Sequence, residues 1–375
     1  MFTRKKTAIV SVINDLVTDN RVNRTCYTLM DAGLDVKLVG RRFKSSLALP
    51  DWPFRTKRMT LLFTKGPAFY LFFNLRLFFV LLFTKADLLF ANDLDTLLPN
   101  YLAARLKKIP LIYDSHELFC EVPELQAAPI KKKIWQNLEN LLVPRLKHCI
   151  TVNESIATIF ENRYHVKFTV VRNIAKSPEE FSLRSRRELG LPEDKKIILL
   201  QGAGINVDRG AEELVDAMQF VDNAILLIIG GGDVWPDLEK RIEQQKLGHK
   251  VRLIKKLPRA ELMQYTYNAD IGVSIDKDNN PNYHNSLPNK IFDYLQAGLP
   301  VLATRLPELE RIINDYGVGD FIENHQPQNI ATAIRRMISD NTGKYTRGIK
   351  QANAEMNWPA EQKKLLELIC HAIRP

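Results

Sequence analysis

The sequence predicts an α/β protein made of two doubly wound domains, each with a parallel sheet. Short apolar runs alternate with longer amphipathic stretches, which is typical of strands that are buried on both faces and joined by helices. The 375 residues suffice for two domains of roughly 150 residues each. The alternation is lost between Asn173 and Asp194 and then restarts. We therefore expect a linker there and two domains that face each other across a cleft.

The first half begins with a strand. Met1 to Lys6 is basic, but the apolar run Thr7 to Ile13 is too short for a secretory signal and has no small-residue cleavage site after it. The run therefore predicts a buried strand. The predicted strands of this half are Ala8–Ile13, Val36–Val39, Leu88–Ala91, Leu111–Tyr113, Cys149–Val152 and Phe168–Val171.

Residues Ala68 to Phe83 are apolar almost throughout and are interrupted by Asn74 and Arg76. A membrane-spanning helix needs ~20 apolar residues, and a central arginine costs roughly 2.5 kcal/mol or more. We therefore expect a helix buried against the first sheet. The alternative is a helix partly exposed at a membrane interface.

The net charge of +10 lies entirely in the first half. Residues 1–180 contain 27 basic and 17 acidic side chains, and residues 181–375 contain 26 of each. This asymmetry indicates an anionic partner, such as a membrane surface or an acidic acceptor, or only a basic surface that favours solubility. The basic clusters fit no nucleic-acid-binding pattern, so we expect no nucleic acid. They are Arg41, Arg42 and Lys44; Arg55, Lys57 and Arg58; and Lys131 to Lys133.

The four cysteines lie far apart, without a CxxC pair or a Cys/His spacing. This spacing argues against a disulfide framework and against a structural zinc site. A reducing cytoplasm is the expected location.

Polar side chains follow two strands of the first half, where ligands of open α/β sheets bind. They are Asn92, Asp93 and Asp95 after one strand, and Asp114, His116 and Glu117 after the next. His116 could act as an acid, a base or a hydrogen-bonding group, although a histidine at a strand end is often structural. The spacing of Asp93 and Asp95 also occurs in metal sites, but it is common by chance.

The second half contains two glycine-rich loops after strands. Gly202 to Gly210 precedes a predicted helix, Ala211 to Phe220, so its backbone, the helix N-terminus and Arg209 could hold a diphosphate. The loop has no Walker or GxGxxG pattern, and a plain turn is the alternative. Gly230 to Asp233 also permits close approach of a ligand. The predicted strands are Lys196–Gln201, Ile225–Ile229, Val251–Ile254, Ile271–Ile275 and Val301–Ala303.

The segment Asn285 to Pro300 leads from a polar loop into a short helix. Asn289 and Lys290 fall in its first turn, and Asp293 lies three residues after Lys290 on the same face. A lysine at that position opposes the helix dipole, which indicates an anionic ligand. Lys290 for phosphate and Asp293 for ribose hydroxyls could form one site. Alternatively, a solvated Lys290 pairs with Asp293.

Five motifs together resemble the retaining family 4 glycosyltransferases of the GT-B fold. They are NSLPNKIFDYLQAGLPVLAT, GAGINVDRGAEELVDA, IIGGGD, ANDLDTLLP and YDSHELFCEVPE. The resemblance implies an acceptor-binding domain at 1–175 and a nucleotide-sugar-binding domain at 195–355. It also implies a C-terminal helix, 356–375, that crosses back to the first domain. The helical pattern of Trp358 to Ile373 agrees with this expectation.

The same resemblance implies roles for individual residues. Arg209 and Lys290 would bind the diphosphate, Asp293 the ribose, and His116 would lie near the transferred sugar. The acceptor side would comprise Asn92, Asp93, Asp114, His116 and Glu117, and contacts to the nucleotide or sugar would come from Gly204, Gly231, Gly232, Pro288 and Asn289. Asn285 and Asp293 stand where the family usually has two glutamates eight positions apart, and Gly204 and Ile205 where it has an arginine, so donor recognition is expected to differ.

The expected function is metal-independent transfer of a sugar, with retention, from a UDP or GDP sugar to a lipid-linked or polysaccharide acceptor. No cofactor is expected, and the expected location is the cytoplasm, at the inner membrane face. A nucleotide-sugar epimerase of the same fold and a catalytically silent nucleotide-sugar-binding protein are the alternatives.

Overall fold

The computed structural model describes residues 5–44, 46–176, 182–339 and 343–374. The chain divides into two compact units. Met1–Asn173 and Glu361–Pro375 form the first unit, and Ile174–Ala360 form the second. The predicted linker, 173–194, lies partly outside the described residues, but its Ile174 and Leu191 are buried in the core of the second unit.

The first unit contains a seven-stranded parallel sheet with the order β3-β2-β1-β4-β5-β6-β7. The strands are β1 (Thr7–Asp15), β2 (Asp35–Arg41), β3 (Arg55–Met59), β4 (Leu88–Asn92), β5 (Leu111–Ser115), β6 (His148–Thr151) and β7 (Phe168–Val170). The helices are α1 (Asn20–Asp31), α2 (Gly66–Phe83), α3 (Leu94–Lys107), α4 (Pro123–Gln126), α5 (Pro129–Leu142) and α6 (Glu154–Tyr164).

The second unit contains a six-stranded parallel sheet with the order β10-β9-β8-β11-β12-β13. The strands are β8 (Lys196–Gly202), β9 (Ala224–Gly230), β10 (Val251–Lys255), β11 (Ile271–Ser274), β12 (Val301–Ala303) and β13 (Gly319–Phe321). The helices are α7 (Ala211–Ala217), α8 (Trp235–Gln244), α9 (Arg259–Asn268), α10 (Pro281–His284), α11 (Lys290–Gln296), α12 (Pro307–Tyr316), α13 (Pro327–Ser339) and α14 (Gly343–Glu355). The last helix, α15 (Trp358–Ile373), begins in this unit and belongs to the first unit from Glu361 onward.

The predicted class, two doubly wound parallel α/β units, is confirmed, but two edge strands are missing from the prediction. β3 reads RTKRM and has no apolar run, because an edge strand is buried on one side at most and charges protect it from further pairing. β13 spans only three residues, too few for a visible pattern. Both strands are recruited by their neighbours rather than by their own hydrophobicity.

The C-terminal helix α15 packs on the first unit. Leu365, Ile369 and Ala372 join the apolar core on one face of its sheet. Glu361 is fully buried and accepts hydrogen bonds from the backbone N–H of Arg172, at 2.9 Å, and from its guanidinium, at 3.2 Å. A buried carboxylate with charged and backbone donors fixes the start of this contact.

Helix α2 is buried along one face only. Phe69, Phe73, Leu77 and Leu81 recur every four residues and fill the core on the other face of the first sheet. The opposite face exposes large apolar side chains, namely Leu71, Phe72, Leu75, Phe79 and Phe83, which are 41–81% exposed. The expectation of a buried helix is therefore correct for half of the helix. By length and composition α2 could also cross a membrane. One such helix is weak evidence of a membrane span, because core helices of soluble proteins pass the same test.

Candidate active site

The two glycine-rich loops of the second unit pack against each other at the carboxyl ends of β8 and β9. The backbone N–H of Ile205 donates to the carbonyl oxygen of Gly231 at 2.7 Å. A Cβ at Gly232 would stand 1.9 Å from the carbonyl oxygen of Ile205. Glycine at 232 is thus required by the packing of the two loops. A direct contact between Gly231 or Gly232 and a ligand stays a prediction.

A cavity of about 220 Å³ lies between the first of these loops and the start of α11. Its lining includes the predicted Gly204, Arg209, Pro288, Asn289 and Lys290. The loop and α11 are far apart in sequence, but both follow strands of one parallel sheet, so they meet at the same edge. The sequence prediction therefore groups residues that the structure also brings together.

Arg209 and Lys290 share one buried carboxylate, Asp276. The Oδ2 atom of Asp276 is 3.3 Å from Nη1 of Arg209, and its Oδ1 atom is 3.9 Å from Nζ of Lys290. Asp276 is fully buried, and neither of its oxygens accepts a hydrogen bond within the described structure. Two cations are held near a single anion, so the cluster carries an excess of positive charge facing the cavity.

The position of Arg209 is fixed from two sides. Its guanidinium carbon lies 4.0 Å from the centre of the Tyr283 ring, a cation–π contact, in addition to its ion pair with Asp276. Burial lowers the pKa of Lys290; Asp276 opposes this effect and Arg209 adds to it. A bound anion would relieve the mutual repulsion of the two cations, which agrees with the predicted phosphate site.

Sequence reasoning missed Asp276, although it stands in the loop directly after β11, the type of position where ligand-binding groups occur. It also missed Arg259. Asp293 receives a hydrogen bond from Arg259 at 2.8 Å and another from Gln201 at 3.0 Å. The alternative pairing of a solvated Lys290 with Asp293 is wrong, because Lys290 is 13% exposed and turns to Asp276.

Asn285, at the position of the family's usual glutamate, is half-buried, and its amide donates to the carbonyl oxygen of Pro281 at 2.8 Å. This bond closes the end of the short helix α10. To bind ribose, the Asp293 carboxylate would have to accept a hydrogen bond from a ribose hydroxyl while it keeps the contact with Arg259. This role of Asp293 stays a prediction.

In the first unit, the predicted strand-end residues also meet. The backbone N–H of Asp93 donates to the carbonyl oxygen of Asp114, and that of His116 donates to Oδ1 of Asp93, both at 2.9 Å. The His116 ring lies between the two carboxylates, with Nδ1 3.2 Å from Asp93 and Nε2 3.4 Å from Asp114. Burial would lower the pKa of His116, but the two carboxylates raise it well above its usual value. The two carboxylates therefore favour the protonated, cationic imidazole.

Asp114 is held by an arginine that the sequence did not reveal. Arg21 makes a two-pronged pair with it, Nε to Oδ2 at 2.9 Å and Nη2 to Oδ1 at 2.7 Å, and donates a third bond to the carbonyl oxygen of Val171. Burial would raise the pKa of Asp114, but Arg21 and His116 hold it well below its usual range. The carboxylate is 2% exposed, so its role is to orient His116.

The remaining acceptor-side residues differ in access. Asn92 is fully buried and donates to the carbonyl oxygen of Ser11 at 3.0 Å, so its visible role is within the unit. Asp93 and His116 are each about one-fifth exposed, and Glu117 is exposed. Asp93, His116 and Glu117 can thus be reached by an acceptor, whereas Asn92 and Asp114 can support them from behind.

Asp93 adopts a backbone φ of +59°, which is uncommon for a residue with a side chain. Its hydrogen bonds to Asp114 and His116 hold it there. Asp95 is buried, and burial raises its pKa well above the usual value, with Asp93 adding to the effect and His116 opposing it. Within the described part of the chain, no group of three or more His, Cys, Asp or Glu side chains is arranged to hold a metal ion.

Comparisons with known proteins relate both halves of the chain to glycosyltransferases. Residues 20–174 match the family described as Glycosyltransferase Family 4, and residues 182–355 match the family described as Glycosyl transferases group 1. An uncharacterized glycosyltransferase of Methanocaldococcus jannaschii is 27% identical over 201 residues, 51% of this chain and 49% of that protein. A D-inositol 3-phosphate glycosyltransferase of Corynebacterium diphtheriae is 25% identical over 194 residues, 48% of this chain and 44% of that protein. The chain thus spans about half the length of the curated relatives it matches.

Solved structures share the fold over nearly the whole chain. Sucrose-phosphate synthase from Thermosynechococcus elongatus has a TM-score of 0.79 at 17% identity and covers 98% of this chain and 99% of its own. HepE from Anabaena, in complex with UDP and glucose, has a TM-score of 0.74 at 15% identity. The match covers 97% of this chain and 99% of HepE. On the two family matches, the two parallel sheets and these neighbours, the chain belongs to the family 4 glycosyltransferases of the GT-B fold.

Proposed function

We propose that this glycosyltransferase moves a sugar, with retention, from a UDP or GDP sugar to a lipid-linked or polysaccharide acceptor, without a metal ion. The observation that carries the proposal is the cavity in which Arg209 and Lys290 share the single carboxylate Asp276. HepE, which shares the fold, binds UDP and UDP-glucose. A diphosphate placed in this cavity would supply the negative charge that the two cations lack.

The chemistry requires stabilisation of the leaving diphosphate. The acceptor oxygen bonds to the anomeric carbon as the bond from that carbon to the diphosphate oxygen breaks. The electron pair stays on the diphosphate, and the acceptor's hydroxyl proton passes to it. Fixed cations that are already oriented stabilise such growing charge at a low reorganisation cost. We assign this role to Arg209 and Lys290, and it is the physical reason for expecting metal independence.

In the first unit, we assign the acceptor side to Asp93, His116 and Glu117. Asp93 and Asp114 favour the cationic form of His116, which can donate a hydrogen bond or attract an anionic acceptor but cannot accept a proton. A reaction in which the leaving diphosphate takes the acceptor's proton requires no base from the protein. The charge state of His116 is therefore compatible with substitution on one face of the sugar.

Donor binding is tested by thermal unfolding with UDP, GDP, ADP and CMP and their sugar conjugates, with and without EDTA. A ligand at about 100 times its dissociation constant adds ~2.7 kcal/mol to stability, enough to raise the midpoint by several degrees. We expect one diphosphate to stabilise the protein in the presence of EDTA. Stabilisation that disappears with EDTA would contradict metal independence, and no stabilisation by any nucleotide would contradict the donor site.

Lys290→Ala should lower the rate of sugar transfer about 10²–10³-fold, the typical cost of removing one preorganised group that stabilises transition-state charge. Lys250→Ala is the matched control, because Lys250 is a largely buried lysine of the same unit that donates to the carbonyl oxygen of Val221 at 2.8 Å, away from the cavity lining. Near-normal transfer by Lys290→Ala, or an equal loss in the control, would refute the assignment.

We also propose that the protein works at the cytoplasmic face of a membrane, since its basic first half carries the exposed apolar face of α2. The side chains of Leu62, Phe72, Leu75 and Phe79 line an open hollow beside Arg76. Flotation with vesicles rich in anionic lipid should recover the protein at low salt, and Phe72→Ser with Phe79→Ser should reduce the recovered fraction. A wild-type protein that stays in the soluble fraction would contradict this location.

A further inference from the structure

A second feature of the first unit is an apolar groove between α2 and α5. It encloses about 660 Å³, within the range of small-molecule sites. Its lining residues are Gly66, Pro67, Tyr70, Leu71 and Asn74 from α2; Leu98 from α3; Glu124 and Leu125 from α4; and Lys131, Ile134, Trp135, Asn137, Leu138 and Leu141 from α5. The chain therefore builds an open apolar site that the donor chemistry does not use.

The walls of the groove are apolar side chains that are exposed to solvent, whereas most of a soluble protein's exposed side chains are polar. Leu71 is 67% exposed, Ile134 62% and Leu141 53%. The floor is aromatic: the ring centres of Tyr70 and Trp135 are 5.1 Å apart, edge to face, and the ring centre of Phe119 is 5.0 Å from that of Trp135. A rigid floor with apolar walls suits a flexible hydrocarbon chain, which needs surface to bury and few hydrogen bonds.

One end of the groove lies next to the polar cluster of the first unit. Leu98, in the wall, stands three residues after Asp95 on α3, so the two share a helix face. Tyr70, which also lines the groove, lies on α2, which packs on α3; burial raises the pKa of its phenol, and Asp95 raises it further. Asp95 is two positions from Asp93, at the start of α3, and its own pKa is raised by Asp93 and lowered by His116. A ligand in the groove thus reaches the residues assigned to the acceptor.

The charges around the groove favour an anionic head group. Lys131 lines it, and Lys132 and Lys133 follow on the first turns of α5. Lys132 pairs with Glu121 at 2.7 Å, whereas Lys131 and Lys133 are exposed. Glu124 is the acid of the lining and is exposed. The first half of the chain has an excess of ten basic residues, so its surroundings attract phosphate rather than repel it.

We propose that the groove binds the hydrocarbon chain of a phosphate-bearing lipid acceptor, so that its sugar-accepting head lies near Asp93 and His116. This inference rests on the proposed function and specifies its acceptor as a lipid-linked one. The chain enters between α2 and α5, its phosphate is attracted by Lys131, and the exposed face of α2 next to the groove meets the membrane from which the lipid comes.

The test uses a series of n-alkyl phosphates below their micelle concentrations, with binding followed by Trp135 fluorescence and calorimetry. Affinity should rise about fourfold with each added methylene until the groove is filled. Trp135→Phe should bind but lose the fluorescence change. An affinity independent of chain length would overturn the proposal.

Leu71→Asp and Ile134→Asp should each weaken binding of the dodecyl phosphate at least tenfold. Leu106→Asp is the matched control, because Leu106 is 65% exposed on α3 and lies outside the groove lining. Equal weakening in the control would overturn the proposal. So would a wild-type dimer that Leu71→Asp dissociates in sedimentation experiments, since the face would then be covered by a second copy.

Donor binding separates the two proposals. The rise in unfolding temperature with nucleotide should be the same in the wild type and in the groove variants. If alkyl phosphates bind in the groove but no nucleotide raises the unfolding temperature, the proposed donor site is refuted and the groove proposal stands. A nucleotide effect without chain-length-dependent binding of alkyl phosphates would refute the groove and leave the donor site.

Discussion

The two units each gather charged side chains at the carboxyl edge of a parallel sheet, but they balance them differently. In the first unit, Arg21 and His116 meet two carboxylates, Asp93 and Asp114, at hydrogen-bonding or ion-pair distance. In the second, two cations meet one carboxylate, whose oxygens accept no hydrogen bond within the described structure. A balanced cluster stabilises the unit and orients a side chain, whereas the unbalanced one leaves positive charge that the proposed diphosphate would neutralise.

The largest expected effect concerns the balanced cluster. Arg21→Met leaves Asp114 buried without its main partner and should destabilise the first unit by about 3–5 kcal/mol. Hydrogen exchange of the β5 amides localises the change to this unit, since a chain of two units need not unfold in one step. The double variant Arg21→Met with Asp114→Asn removes both charges and should recover part of the loss. A small change in Arg21→Met would show that the pair contributes little to stability.

The next effect concerns the unbalanced cluster. Asp276→Asn leaves Arg209 and Lys290 without a counter-ion, so the free protein should lose about 1–3 kcal/mol of stability. A bound diphosphate would replace the missing charge, and the rise in unfolding temperature with saturating UDP or GDP should therefore exceed that of the wild type. If the nucleotide raises the unfolding temperature of both proteins equally, Asp276 and the ligand do not interact with the same two cations.

The smallest expected effect is a pH dependence that distinguishes the clusters. The pKa of His116 is raised in the folded protein, so its contribution is fully present below the unfolded value of about 6.5 and is lost as pH rises through the folded pKa. The wild type should lose stability on the order of 1 kcal/mol at alkaline pH, measured by hydrogen exchange of the β5 amides. His116→Gln should not show this loss. The same alkaline slope in His116→Gln would assign the dependence to another group.

Prediction from the sequence succeeds where local pattern and topology suffice. Continuous apolar runs identify eleven of the strands because a strand buried on both faces must be apolar throughout. The strand-end rule places Arg209 and Lys290 in one cavity, and Asp93, Asp114 and His116 in one cluster. Prediction from the apolar pattern fails at β3 and β13, whose positions depend on neighbouring strands. It also fails along α2, where apolar composition does not distinguish a buried face from an exposed one.

The sequence by itself determined the two parallel α/β units, the candidate binding loops and the uneven distribution of charge. Only the tertiary structure decided which charges meet. Arg21 and Asp114 are 93 positions apart, and Asp276 and Lys290 are separated by a turn and the short helix α10, so neither pairing follows from spacing. The strength of such contacts depends on burial and on distances of a few ångströms, which arise only when strands that are separate in the chain lie side by side.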